Sequence, residues 1–213
     1  MKTQELIRRL AEEAAPVPRH ALHRRFAIGL GFGAAAAFAA VASVYGVRPD
    51  IATAFATTPM LIKSGLTLSL AVGSGIAALH LAHPEARLTR RSWIIVLPIL
   101  IGGAIAAVEI SSAPQSAWPS MVMGQSAPQC LARVALVSIP LFAGLVWSFR
   151  KFAPTDLRAA GAALGGLSGA LAAFLYALHC RESAAVFIAL WYSLGVVLMA
   201  LAGAALGPRL LRW

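Results

Sequence analysis

Acidic residues are scarce in this chain: eight Asp and Glu against 18 Lys and Arg in 213 residues. All charged types together make up 12%, about half of the roughly 25% usual in a soluble domain. Long polar stretches, internal repeats and a low-complexity tail are missing too. There is no Gly-x-Ser-x-Gly, no His-Glu-x-x-His and no phosphate-cradling loop, so no catalytic constellation is expected and the chain is read as a non-enzyme. Cysteine is limited to Cys130 and Cys180. What fills the sequence instead is apolar: 59% of residues are hydrophobic.

The apolar residues form runs rather than a periodic scatter. A bilayer span needs about 20 of them in succession. Six runs qualify, at 26–47, 62–83, 92–110, 128–148, 157–178 and 184–206. They leave no room for a large soluble domain. The expected fold is all-α: a six-helix transmembrane domain over 26–206, a cytoplasmic N-terminal arm over 1–25 and a short cytoplasmic tail over 207–213. About 25 charged, amphipathic residues precede the first run, so it is expected to be a retained span rather than a signal peptide.

The net charge of +10 could suggest nucleic acid, but no basic face on a folded soluble domain is available for it. Lipid is the expected partner, because the basic residues sit in short segments between spans. Fourteen of the 18 fall on one side: the arm from Lys2 to Arg25, the 84–91 loop, the segment Arg150–Arg158, and the C-terminal Arg209 and Arg212. The other side holds Arg48, Lys63, Arg133 and Arg181. The bias predicts an N-in, C-in multi-pass protein of the bacterial inner membrane. Gly161, Gly165 and Gly169, and likewise Gly29 and Gly33, recur every four residues and would let helices approach closely. Packing within the bundle is the first reading and a homodimer seam the second. Pro98 and Pro140 lie inside spans three and four, where each is expected to kink its helix.

Cys130 lies 20 residues before Arg150, and Cys180 lies 22 after Arg158. At about 1.5 Å per residue, both should emerge roughly 30 Å from the inner surface, at matching depth on neighbouring helices. In a bacterium that places them in the oxidising periplasm. Arg133, His179, Arg181 and Glu182 surround them in sequence. Positive neighbours raise the thiolate fraction, and thiolates bind soft metals such as zinc or cadmium. A structural disulfide, two idle thiols and a redox or metal-responsive pair all remain open on spacing alone. His179, Glu182, Glu109 and Arg133 are the candidate metal ligands or supporting groups, for a transient ion at the cysteine pair. A Glu109–Arg133 ion pair between spans three and four is a further expectation. His80 and His83, like His20 and His23, are read as interfacial polar residues. In the arm, Leu6, Ile7 and Leu10 form one apolar stripe, either on the membrane surface or offered to a partner's groove.

Several segments bear a resemblance. Met1-Lys2-Thr3 with Glu5-Leu6-Ile7 and Leu10-Ala11, Cys130-Leu131 after Met123-Gly124, and Ala153-Pro154-Thr155 are similar to the NrsF family of membrane anti-sigma factors. So are Tyr176-Ala177-Leu178-His179-Cys180-Arg181-Glu182-Ser183, Trp191-Tyr192 and the ending from Gly207 to Trp213. The resemblance covers essentially the whole chain and is most specific in its C-terminal third. It implies a regulator that holds an extracytoplasmic-function sigma factor inactive at the inner membrane and releases it on heavy-metal or oxidative stress. It also implies that Cys130 and Cys180 are required for that response. The His-x-x-x-Cys-x-x-Cys signature of soluble zinc-type anti-sigma domains is missing. The rival readings are a small membrane transporter or metal exporter, and a thiol–quinone oxidoreductase.

Overall fold

The computed structural model describes residues 3–13, 20–83 and 95–212, without the side chains of Leu6 and of 10–13. The expectations on Lys2, Arg19, the 84–91 loop, Trp213 and the Leu6 and Leu10 side chains therefore lie outside the described residues. Every element among them is helical: α1 Thr3–Glu13, α2 Ala21–Ala40, α3 Ile51–Ala54, α4 Thr58–Leu81, α5 Val96–Ser112, α6 Trp118–Met123, α7 Ala127–Phe149, α8 Leu157–Ala177, α9 Ala185–Phe187 and α10 Ser193–Leu210. A π turn, Val41–Tyr45, extends α2, and another, Ile188–Tyr192, joins α9 to α10.

Among the described residues, five helical stretches are long and apolar enough to cross a membrane: Ala21–Tyr45, Thr58–Leu81, Gln115–Phe149, Leu157–Ala177 and Ala185–Leu210. The sixth expected span falls on α5, a shorter apolar helix of 17 residues. The helices overrun several apolar runs, as helical backbone continues into the interfacial zone on either side of the hydrocarbon layer. Thus α4 starts at Thr58, with Pro59 in its first turn where no N–H is needed.

The centre of the bundle is α8. Its small residues make that position available, because Ala and Gly let four neighbours close in without voids. Nearly all of one turn after another is buried, from Ala159 to Ala177. A side chain built on Gly161 would run into the Gly203 carbonyl, and one on Gly165 would meet the Met199 carbonyl. The three-glycine stripe therefore forms the α8–α10 seam within one chain. Gly29 and Gly33 do the same for α2 against Gly144 and Leu141 of α7. Both stripes serve internal packing, the first of the two sequence readings.

α5 is peripheral. Only Gly102 and Ala106 of it are buried, while Leu97, Leu100, Ile101, Ile105 and Val108 face outward. An apolar groove of about 770 Å³ runs between it and α4. Pro98 stands in the first turn of α5 as described, where its missing N–H costs no ladder bond, so the expected mid-helix kink is not found there. Pro140 does sit inside α7.

One end of the bundle is tied by arginines and caps. Arg25 donates to the Ser148 carbonyl at 3.2 Å and the Trp147 carbonyl at 3.4 Å, with its guanidinium 4.4 Å over the Trp147 ring. Ser148 Oγ donates back to the Arg25 carbonyl at 3.0 Å. Arg150 Nε donates to the Leu210 carbonyl at 3.1 Å. These cations meet the C-terminal, electronegative ends of α7 and α10. Asp156 caps α8 by accepting from the Ala159 N–H at 2.9 Å.

Candidate functional site

The opposite end of the bundle gathers the end of α2, the starts of α4, α7 and α10, and the end of α8. Cys130 and Cys180 both lie there. Neither is bridged, and both are buried, at 0% and 4% exposure. Both are part of the apolar core that runs through the bundle. Their burial exceeds what an interfacial pair would show. A residue count along the hairpin does not reveal that burial.

Cys130 is in the first turn of α7, its N–H bonded to the Ser126 carbonyl at 2.7 Å. Cys180 follows α8 directly. Its N–H and that of His179 both bond to the Tyr176 carbonyl at 3.0 Å, so the last turn of α8 fixes its position.

Lys63 reaches this site from α4. Its side chain is 1% exposed, and its Nζ donates to the Cys180 carbonyl at 2.8 Å. The Tyr192 ring lies 5.9 Å from the same nitrogen. Among the described residues no carboxylate forms an ion pair with it. The sequence reading treated Lys63 only as an outer-face cation. Helical spacing carried the missing signal: Lys63, Thr67, Leu70 and Ser74 form the buried face of α4, while Leu61, Leu68, Val72 and Ile76 face outward.

The four supporting candidates take structural posts. His179 Nδ1 is 3.0 Å from the Gly46 carbonyl, which only accepts, so Nδ1 carries the proton. Its Nε2 is then free to accept from Arg133 at 3.4 Å. Arg133 also donates to the Tyr176 hydroxyl at 3.2 Å and sits 5.3 Å over the Tyr45 ring. Glu182 accepts from the Gln125 N–H at 2.8 Å and from Ser126 Oγ at 3.0 Å. Glu109 accepts from the Val186 N–H at 3.0 Å, at the start of α9. The expected Glu109–Arg133 pair is thus replaced by two separate contacts. Arg133 faces the end of α8, whereas Glu109 turns to the electropositive start of α9. Among the described residues no three His, Cys, Asp or Glu side chains converge to hold a metal ion. The donor set does not fit a resident four-coordinate zinc.

A polar cavity of about 620 Å³ opens beside the cysteines. Arg48, Arg133, His179, Arg181 and Glu182 line it together with Cys180, while Cys130 does not reach it. Arg48 is held by Asp50 at 2.6 Å. The hydrogen bond from Arg48 holds the Asp50 carboxyl down at about 2, and Asp50 in turn raises the Arg48 guanidinium.

Long apolar helices around a small-residue centre, with two buried thiols at the end that carries a polar mouth, define a polytopic helical bundle of the membrane type. The comparisons with known proteins give the particular family. The family described as "Negative regulator of sigma F" matches residues 10–213, and the chain belongs to it. It is 37% identical to the probable anti-sigma-F factor NrsF of Azospira oryzae over 213 residues, and 35% identical to the anti-sigma-F factor NrsF of Caulobacter vibrioides over 215 residues. Each match covers the full length of both chains. No solved structure matches the chain.

Proposed function

We propose that this chain holds an extracytoplasmic-function sigma factor at the cytoplasmic face of the bacterial inner membrane and releases it when the Cys130–Cys180 pair is oxidised. The observation that carries the trigger is that both free sulfurs are buried at the same end of the bundle, with Cys180 lining a polar cavity there. The full-length relationship to two anti-sigma-F factors supports the sigma-binding role. The arginine-clamped end faces the cytoplasm and the cysteine end the periplasm, in line with the charge bias. α5 is the sixth span. α1 is the docking element: Ile7 is 60% exposed, with Arg8 and Arg9 both paired to Glu5 beside it.

Oxidation suits the site better than metal capture, since only two sulfurs are on offer. A transporter is disfavoured because Lys63 is the one buried charged side chain among the described residues, so no relay of ionisable groups crosses the bundle. The test is sigma-dependent transcription in cells exposed to peroxide or to cadmium, for the parent and for the Cys130→Ser and Cys180→Ser variants. Each variant should capture the sigma factor in pull-downs and lose most peroxide induction. Normal peroxide induction in both variants would refute the trigger. Loss of cadmium induction alone would move the reading to soft-metal capture.

A further inference from the structure

The two sulfurs are not equivalent. Cys180 lines the polar cavity, whereas Cys130 is sealed at 0% exposure and does not reach it. A small oxidant entering from the periplasm therefore meets Cys180 first. The buried Lys63 ammonium bonds to the carbonyl of Cys180 itself. It lies within electrostatic range of both sulfurs and has no carboxylate partner among the described residues. An ammonium out of water without a counter-charge is costly, and what meets it here is the Cys180 carbonyl and the Tyr192 ring. Beside it, the fully buried Tyr192 hydroxyl has no hydrogen bond of good geometry and lies close to Cys180.

We propose that the sensor is built asymmetrically: Cys180, paired with the Lys63 ammonium, is the sulfur that peroxide oxidises, and Cys130 is the sulfur that resolves it. This rests on the reading that the pair is the trigger. The first step joins sulfur to oxygen. The Cys180 thiolate attacks one oxygen of hydrogen peroxide, the O–O bond breaks, Cys180 becomes a sulfenic acid and hydroxide departs. The Cys130 thiol then attacks the sulfenic sulfur, the S–O bond breaks and water leaves, its protons supplied by the two thiol-derived groups. Sulfur has lost two electrons in all, and peroxide has gained them. The negative charge leaves as hydroxide, so Lys63 loses its counter-charge when the sulfenic acid forms, and the disulfide then fixes that neutral state. That loss gives the ammonium a reason to leave its buried seat and takes α4 with it.

The experiment uses the full chain in native membranes, with limiting hydrogen peroxide and a dimedone-type probe read by mass spectrometry. Cys130→Ser should accumulate labelled Cys180, because the resolving thiol is gone. Cys180→Ser should leave Cys130 unlabelled. Lys63→Met should slow labelling of Cys180 in the Cys130→Ser background by about tenfold or more, equivalent to one pKa unit of thiolate fraction, and Lys63→Arg should restore most of the rate. A purely structural lysine would not move that rate. Equal labelling of Cys130 and Cys180 in the two single-cysteine variants overturns the order of events. Undiminished labelling in Lys63→Met overturns the role of the ammonium. If labelling follows the expected order while both Ser variants still induce transcription normally, the chemistry stands and the trigger reading fails.

Discussion

At the scale of single residues, the turn before α7 is the most constrained point near the sulfurs. Gly124 has φ +50° and ψ −154°, backbone that side chains rarely adopt. A Cβ there would lie 2.7 Å from Glu182 Oε2. Glu182 uses its other oxygen to bind the Gln125 N–H and Ser126 Oγ, so it stitches the segment after α8 to the start of α7. Gly124→Ala should therefore destabilise the cysteine end by about 1–3 kcal/mol. Glu182→Gln keeps the shape, loses charge-assisted bonds and should cost less. Thermal aggregation of the purified protein in detergent would rank the two, and a Gly124→Ala protein as stable as the parent would show that the turn is dispensable. Sequence placed Glu182 among metal ligands because acid, histidine and cysteine are adjacent there. The fold aims each elsewhere, since residues after a helix end fan out in different directions.

At the scale of elements, the long helices were legible in the sequence because bilayer length is a coarse and strong requirement. Their facing was not. The four-residue glycine spacing indicated close approach, yet it could not say to which helix. In the structure α8 uses Gly161, Gly165 and Gly169 against Gly203, Gly207 and Met199 of α10. Gly161→Leu should force these helices apart, at a cost of at least about 1–3 kcal/mol, and lower the yield of folded monomer on size-exclusion chromatography. A surface glycine such as Gly103, which meets nothing within 4 Å, should accept Leu without loss. If Gly161→Leu instead left the monomer intact and abolished a dimer, the stripe would be an intermolecular seam. The same hidden facing explains why Glu109 and Arg133 do not pair and why the burial of Lys63 does not show in the sequence. A lone cation in an apolar run looks like an edge residue until the opposite face of its helix is seen to be bulky and greasy.

The arm is the element proposed to act outside the bundle. α1 carries Ile7 exposed, and Arg8 and Arg9 both turned to Glu5. Replacing Leu6, Ile7 and Leu10 together with Asp should weaken sigma capture at least tenfold in pull-downs while membrane insertion is unchanged. An apolar helix face in a partner's groove is read out by such anchors. Undiminished capture would transfer the interface to the loops at the arginine-clamped end.

At the scale of the molecule, the sulfurs and the expected sigma-binding face are separated by roughly 30 Å, the rise of the 20 residues from Cys130 to Arg150. Coupling over that distance needs an element with two arrangements that both ends can bias. α7 meets the requirement best. Its first turn holds Cys130, and its last turn is clamped to Arg25 through Ser148 and Trp147. Between them Pro140 supplies no N–H to the Leu136 carbonyl, and its own carbonyl packs against Gly33 of α2. A helix with a weakened ladder at mid-length can bend there at low cost. A disulfide at one end would then change the angle at which the other end meets α2. Pro140→Ala restores the missing donor and straightens this rod. It should leave sigma capture and peroxide-driven disulfide formation intact, yet reduce induced transcription several-fold. Measuring all three in one strain separates transmission from sensing. Full induction in Pro140→Ala would show that the signal does not travel by bending α7, and would leave α4, tied to Cys180 through Lys63, as the transmitting helix.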